Sequence, residues 1–286
     1  MNFEFYRIFV SQLEAPNLLT EVQTKHEAFL KAFSGMSDPI YFSVDRNSYV
    51  FVEEKREEGL YIYGRIGKRA SVTRHLPPER EFSTEELEDW PTVPVFVNLT
   101  DNEVRGQSIA IGISQKVALK PIKILNAFIN ELERRVLSDE YALNINPVTR
   151  RRDFWDVIKS NKGAIEEVTF SFITPNLFRS SDKMDEELKY ANELMGAQNI
   201  DIKLENRGNG LNLSEDQPFA KRAVEYVTDG GGSYTIRVKG MKKAVKNGES
   251  VKSMQIEEFE VRNLKNDDSQ IEQICNKIFA CLDSLE

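Results

Sequence analysis

An α+β fold is what this 286-residue sequence predicts, and three features carry the prediction. Short β-rich runs crowd residues 1–118, one strongly amphipathic stretch occupies 119–139, and strand-like and helix-like segments take turns from 140 to 286. The expected organisation is a mostly antiparallel N-terminal β lobe with one helix, a connecting helix, and a C-terminal mixed α/β lobe with a long hairpin and a terminal helix. A chain of this length, 40% hydrophobic with 17 Phe and 9 Tyr, has enough apolar surface to build its core without staples.

The opening run Phe3 to Val10 is aromatic and β-branched and reads as a well-buried strand. From Leu18 to Phe33 the apolar residues fall mostly at helical spacing, and Gly35 follows where a helix should stop. Ile40 to Val44, Ser48 to Val52, Leu60 to Ile66 and Ala70 to Arg74 then form a meander, separated by Asp45-Arg46-Asn47, the charged turn Glu53 to Gly59, and Gly67. Pro77-Pro78 breaks the pattern, Ser83-Thr84-Glu85-Glu86 has the makings of a helix cap over one or two turns, and Val93 to Leu99 with Arg105 to Ile113 make a hairpin.

In the connecting helix, Lys120 to Ser138, one face carries Ile122, Leu125, Phe128, Ile129, Leu132 and Val136. Beyond it the expected order is strand Tyr141 to Pro147, helix Arg151 to Lys159, strand Ile165 to Thr174, helix Ser181 to Met195, strand Ile200 to Leu204 and helix Ser214 to Val227. Gly230-Gly231-Gly232 leads into a long hairpin of Tyr234 to Lys239 with Val251 to Val261, and helix Ser269 to Leu285 follows. Phe154 and Trp155 read as the buried side of a short helix whose flank Arg150-Arg151-Arg152 is exposed. Phe170 and Phe172 read as core.

Several function classes fall away at once. The only cysteines are Cys275 and Cys281, so there is no disulfide framework, and with no secretory leader pattern this points to a reducing, cytoplasmic setting. Apolar runs are strand-sized, so no membrane insertion is expected. His26 and His75 lie far apart and neither accompanies a Cys, so no metal site, no resident cofactor and no nucleophile–His pair is expected. Gly64 to Arg69, Gly208-Asn209-Gly210 and the Gly230 run lack the strand–loop–helix setting of a phosphate loop and read as turns. Asp45, Glu53 and Lys55 have the residue types of a Mg²⁺-dependent nuclease, but they sit in and beside a charged run whose ordinary role is a solvated turn.

Charge asymmetry is the sharpest signal. The chain carries a net charge of −8, yet Gly64 to Arg80 holds a local excess of four positive charges and Gly230 to Ile256 an excess of five. Both islands fall on expected hairpins, and a basic ribbon can lie along a phosphate backbone. The candidate contact residues are Arg65, Lys68, Arg69 and Arg74 in the first island and Arg237, Lys239, Lys242, Lys243 and Lys246 in the second. Lysines on edge strands also serve simply to block sheet-to-sheet aggregation. The nucleic-acid reading requires the two islands to share a face.

The order of elements resembles the RexA-like proteins of phage-exclusion and phage-defence systems, including the KwaB-like component of the Kiwa system. The resemblance rests on Phe3 to Val10, Pro94 to Val97, Ile109 to Gly112, Leu143 to Pro147 and Phe170 to Asn176, and it spans most of the chain. It implies a non-enzymatic, DNA-binding effector or sensor that acts with a partner protein. The expected function is therefore sequence-tolerant DNA binding in phage defence, with homo-oligomerisation or assembly with a partner of the same system as the alternative and a Mg²⁺-dependent nuclease as a third reading.

Overall fold

The computed structural model describes residues 1–13, 24–34, 36, 38–77, 83–100, 106–118, 120–137, 141–173, 197, 199–247, 251–257, 264 and 268–284. The α+β class is borne out, with antiparallel pairing throughout the described strands. Fourteen strands and five helices are described: β1 (Asn2–Gln12), α1 (Lys25–Ala32), β2 (Ile40–Val44), β3 (Asn47–Glu57), β4 (Tyr61–Lys68), β5 (Ala70–His75), β6 (Thr84–Asp89), β7 (Thr92–Asn98), β8 (Gln107–Gly112), α2 (Pro121–Val136), β9 (Tyr141–Pro147), α3 (Arg151–Ser160), β10 (Ile165–Ile173), β11 (Asn199–Glu205), α4 (Pro218–Tyr226), β12 (Gly232–Val238), β13 (Val245–Lys246), β14 (Ser253–Gln255) and α5 (Asp268–Ser284).

The main sheet runs β14-β1-β8-β7-β4-β3-β2, with β9 also on β1. On one edge β1 pairs with β8; on the other it pairs first with β14, Asn2 to Glu4, and then with β9, Tyr6 to Gln12. Strands alternate their side chains between faces, so Tyr6, Ile8 and Val10 enter one core while Phe3 and Phe5 enter another. That is why β1 reads as a continuous apolar run: both of its faces are covered. α1 and α2 cover the first face through Phe29, Phe33, Leu125, Phe128 and Leu132, and α5 covers the second through Ile271, Ile274 and Ile278.

A second sheet, β11-β10-β12-β13, packs Val168, Phe170, Tyr234 and Ile236 against Phe154 and Trp155 of α3 and Ala223 and Val224 of α4. It is fastened to the first by the main chain where Thr149 N, just past β9, donates at 2.7 Å to Thr228 O, in the segment that leads into β12.

Four expectations change. α2 is a layer of the main core, because its apolar face fills the space over β2 and β9. The division at 139–140 does not separate the sheets, since β9 and β14 both pair with β1. Ser83 to Glu86 starts no helix: Thr84 to Asp89 offers Leu87 as its one apolar residue, too little for a buried helical stripe, and instead pairs with β5. The long hairpin is short, because β12 pairs only Thr235 and Ile236 with β13, and Ser253 to Gln255 leaves for β1. The expected helix Ser181–Met195 lies outside the described residues, as do Leu18 to Gln23 of the first expected helix. No helix among the described residues is long and apolar enough to cross a membrane.

Candidate nucleic-acid interface

The first basic island is interleaved with acid. Arg65 on β4 lies with Nε 3.2 Å from Glu54 Oε2 and donates to the Tyr63 hydroxyl at 3.2 Å. Arg69 pairs with Glu88 at 3.2 Å, and Arg74 stands opposite Glu85 in the β5–β6 ribbon. β6 also carries Glu86 and Asp89, so the exposed ribbon is acidic overall. Lys68, at the end of β4, has no ion partner among the described residues. Arg80 and Glu79 lie outside the described residues. A count along the sequence missed this because hairpin pairing brings an acidic strand, absent from the counted window, against the basic one.

The second island divides. Lys252 turns inward and is buried, and desolvation pushes its ammonium below the usual lysine value. Arg237 on β12 meets Glu167 of β10 at 3.3 Å. Beside it Lys203 bridges Glu167 at 2.8 Å and Glu205 at 2.9 Å, which raise its pKa, and Arg207 pairs with Glu205. The outer face of this sheet is thus self-neutralised. Lys239, Lys242, Lys243 and Lys246 are exposed and have no ion partner among the described residues.

These lysines cluster because the local chain forces a tight return. Gly240 adopts φ 83°, a conformation that glycine reaches without steric cost, and Asn247 then ties the turn back by accepting from Tyr234 N at 2.9 Å and donating to Gly232 O at 3.2 Å. The Asn247 side-chain amide adds to the main-chain bond from Asn247 N to Tyr234 O at 3.3 Å. At the Val238 end of the sheet three loops are knitted together: Lys239 N donates to Ala164 O at 2.8 Å, Leu211 N to Ile165 O at 2.7 Å, and Asn206 N to Glu166 O at 2.9 Å. Lys162, exposed, is brought to this end by the first loop and Arg207 by the second. Sequence reasoning missed Lys162, which stands isolated in the chain, and only the pairing of β10 with β12 places it near Lys239.

The two islands belong to different sheets, the first to β4 and the ribbon that extends β4 and β7, the second to β12 and β13, and no strand pairing among the described residues brings them onto one face, so the reading that needs both islands falls and only the second keeps exposed, unmatched lysines. The candidate nuclease trio does not converge either. Asp45 sits in the β2–β3 turn facing Lys123 at 3.5 Å, Glu53 holds Arg56 at 2.7 Å, and Lys55 reaches Asp268 at 2.9 Å. Six steps along the extended strand from Asn47 to Glu53 set the turn and Glu53 roughly 20 Å apart. Among the described residues no cluster of three His, Cys, Asp or Glu side chains could hold a metal ion.

Comparison with known proteins finds no match to a family model, to a curated protein or to a solved structure.

Proposed function

We propose that this chain contacts nucleic-acid phosphates through the basic end of its second sheet, as a sequence-tolerant, non-catalytic DNA-binding component of a phage-defence or phage-exclusion system. The observation that carries this reading is the group Lys239, Lys242, Lys243 and Lys246, exposed without ion partners among the described residues on a chain of net charge −8. Net negative charge on the chain as a whole disfavours a polyanion, so this reading places the contact at this end and keeps the affinity modest. Flexible ammonium groups suit phosphate oxygens and carry no base-reading geometry, which fits sequence tolerance. The defence setting comes from the RexA-like resemblance alone.

Mobility-shift titration with duplex DNA of arbitrary sequence at low salt tests the proposal. Four phosphate contacts give a log K against log salt slope of about −3 to −4. Charge reversal of Lys242, Lys243 and Lys246 to Glu should abolish the complex, whereas reversal of Arg69 and Arg74, already matched by Glu88 and Glu85, should leave it nearly intact. Absence of a low-salt complex in the micromolar range ends this reading.

One observation favours assembly as a second reading. The β5–β6 ribbon stands clear of the main sheet, and Val72 faces Leu87 across it with 47% and 39% of their surfaces exposed. A lone two-stranded ribbon is marginal in water and gains from being covered, by a second copy or a partner protein. Light scattering on the chain and on Leu87→Asp checks this, and an unchanged mass in both would remove the homo-oligomer.

A further inference from the structure

Between the two sheets lies a cleft of about 300 Å³ whose polar lining is neutral. Five asparagines line it, Asn126 and Asn130 from α2, Asn144 and Asn146 from β9, and Asn199 from β11. Ser171 and Ser233 add hydroxyls, and no charged residue takes part. The Asn146 amide nitrogen is buried and has no hydrogen-bond partner among the described residues.

The floor of the cleft is the free edge of β9. In an antiparallel ladder alternate residues turn their main-chain groups outward. Leu143 N donates away from β1, to Glu133 Oε2 at 3.0 Å, while Val148 N donates to Phe5 O at 2.9 Å. Both observations set the same alternation, so the N–H and C=O of Ile145 point outward, and neither has a partner among the described residues. This edge is too blunted to add a peptide strand, because Glu133 occupies the N–H on one side and Pro147 has none on the other.

What remains is one donor beside one acceptor, surrounded by side-chain amides. That pattern matches an uncharged heterocycle carrying an acceptor ring nitrogen next to an amino group, as on the Watson–Crick edge of adenine, and Asn amides pair bidentately with the same base on its other edge. We propose that this cleft binds the base of an adenine nucleoside, read by main-chain Ile145 and by the asparagines. The volume is at the lower end for small-molecule sites and fits a nucleoside. The site is separate from the lysine turn: β12 begins at the cleft with Gly232 and Ser233 and ends at Val238, about 20 Å away.

Calorimetric titration of the full chain with adenosine, AMP and glucose tests the proposal. Adenosine should give saturable binding, AMP should bind no more tightly because no cation awaits its phosphate, and glucose should give no saturable heat. Ser233→Trp and Asn130→Trp, both at exposed positions on opposite walls, should each weaken adenosine binding by roughly tenfold or more while circular dichroism shows an unchanged fold. No saturable adenosine binding, binding of glucose in its place, or unchanged adenosine affinity in both folded variants would each overturn the proposal.

Discussion

Two glycines with the same backbone conformation separate strain from crowding. Gly59 and Gly210 have φ of 72° and 75°, a region that costs an ordinary residue about 1 kcal/mol or more. A Cβ on Gly59 would meet open space, whereas one on Gly210 would lie 2.6 Å from Gly163 O. Gly59→Ala should therefore cost about 1 kcal/mol and Gly210→Ala about 2–3 kcal/mol in urea denaturation. Only the second should also weaken DNA binding, since pushing residue 210 away from Gly163 disturbs the neighbouring bond from Leu211 N to Ile165 O and, beside it, that from Lys239 N to Ala164 O. Glu131 provides a test of a different kind. The Arg134 guanidinium, with Arg135 beside it, holds its carboxyl down at about 2. A folded value below the unfolded one stabilises the protein above about pH 4.5 and is lost as pH falls toward 2. Glu131→Gln should accordingly lose less melting temperature than the wild-type chain on acidification across that window, and added salt should narrow the difference because the Arg134 side chain is largely solvated and that of Arg135 partly so.

At the level of elements, α2 shows what an amphipathic pattern does and does not reveal. Phe128 is fully buried and its ring meets Phe51 at 4.7 Å, Phe42 at 5.9 Å and Phe33 at 6.4 Å, so the helix clamps α1, β2 and β3 together. Phe128→Ala should cost about 3–5 kcal/mol by calorimetry, through a cavity that rigid neighbours cannot fill. The spacing of Leu125, Phe128 and Leu132 made the helix and its buried face legible, but the periodicity of one element says nothing about which sheet receives it. The same limit explains β14, whose residues form a strand yet belong beside β1. Strand β6 went unread because Ser-Thr-Glu-Glu matches a local capping pattern, and the pairing with β5 that overrides it is a nonlocal fact. Lys239 to Lys246 were legible as a charge run, since a tight lysine turn has nowhere to go but solvent. The asparagine cleft was illegible, because its residues come from five elements and none of them is chemically conspicuous alone.

For the molecule as a whole, the decisive feature is that β1 is shared. Its outer edge is closed by β14 and β9, and the face carrying Phe3 and Phe5 is closed by α5, all of them downstream of residue 140. A fragment ending at residue 139 would keep α1, α2 and the strands from β1 to β8 but expose the unpaired edge of β1 and the apolar surface of Phe3, Phe5, Tyr61, Tyr63 and Phe96. Unpaired edges next to exposed aromatic surface invite self-association. Fragment 1–139 should therefore aggregate or remain loosely packed, without the dispersed amide spectrum of a folded sheet, and mixing it with fragment 140–286 should restore that dispersion. A monomeric, well-dispersed fragment 1–139 would mean that the β9, β14 and α5 layer is dispensable, and the shared-strand account of this fold would fail.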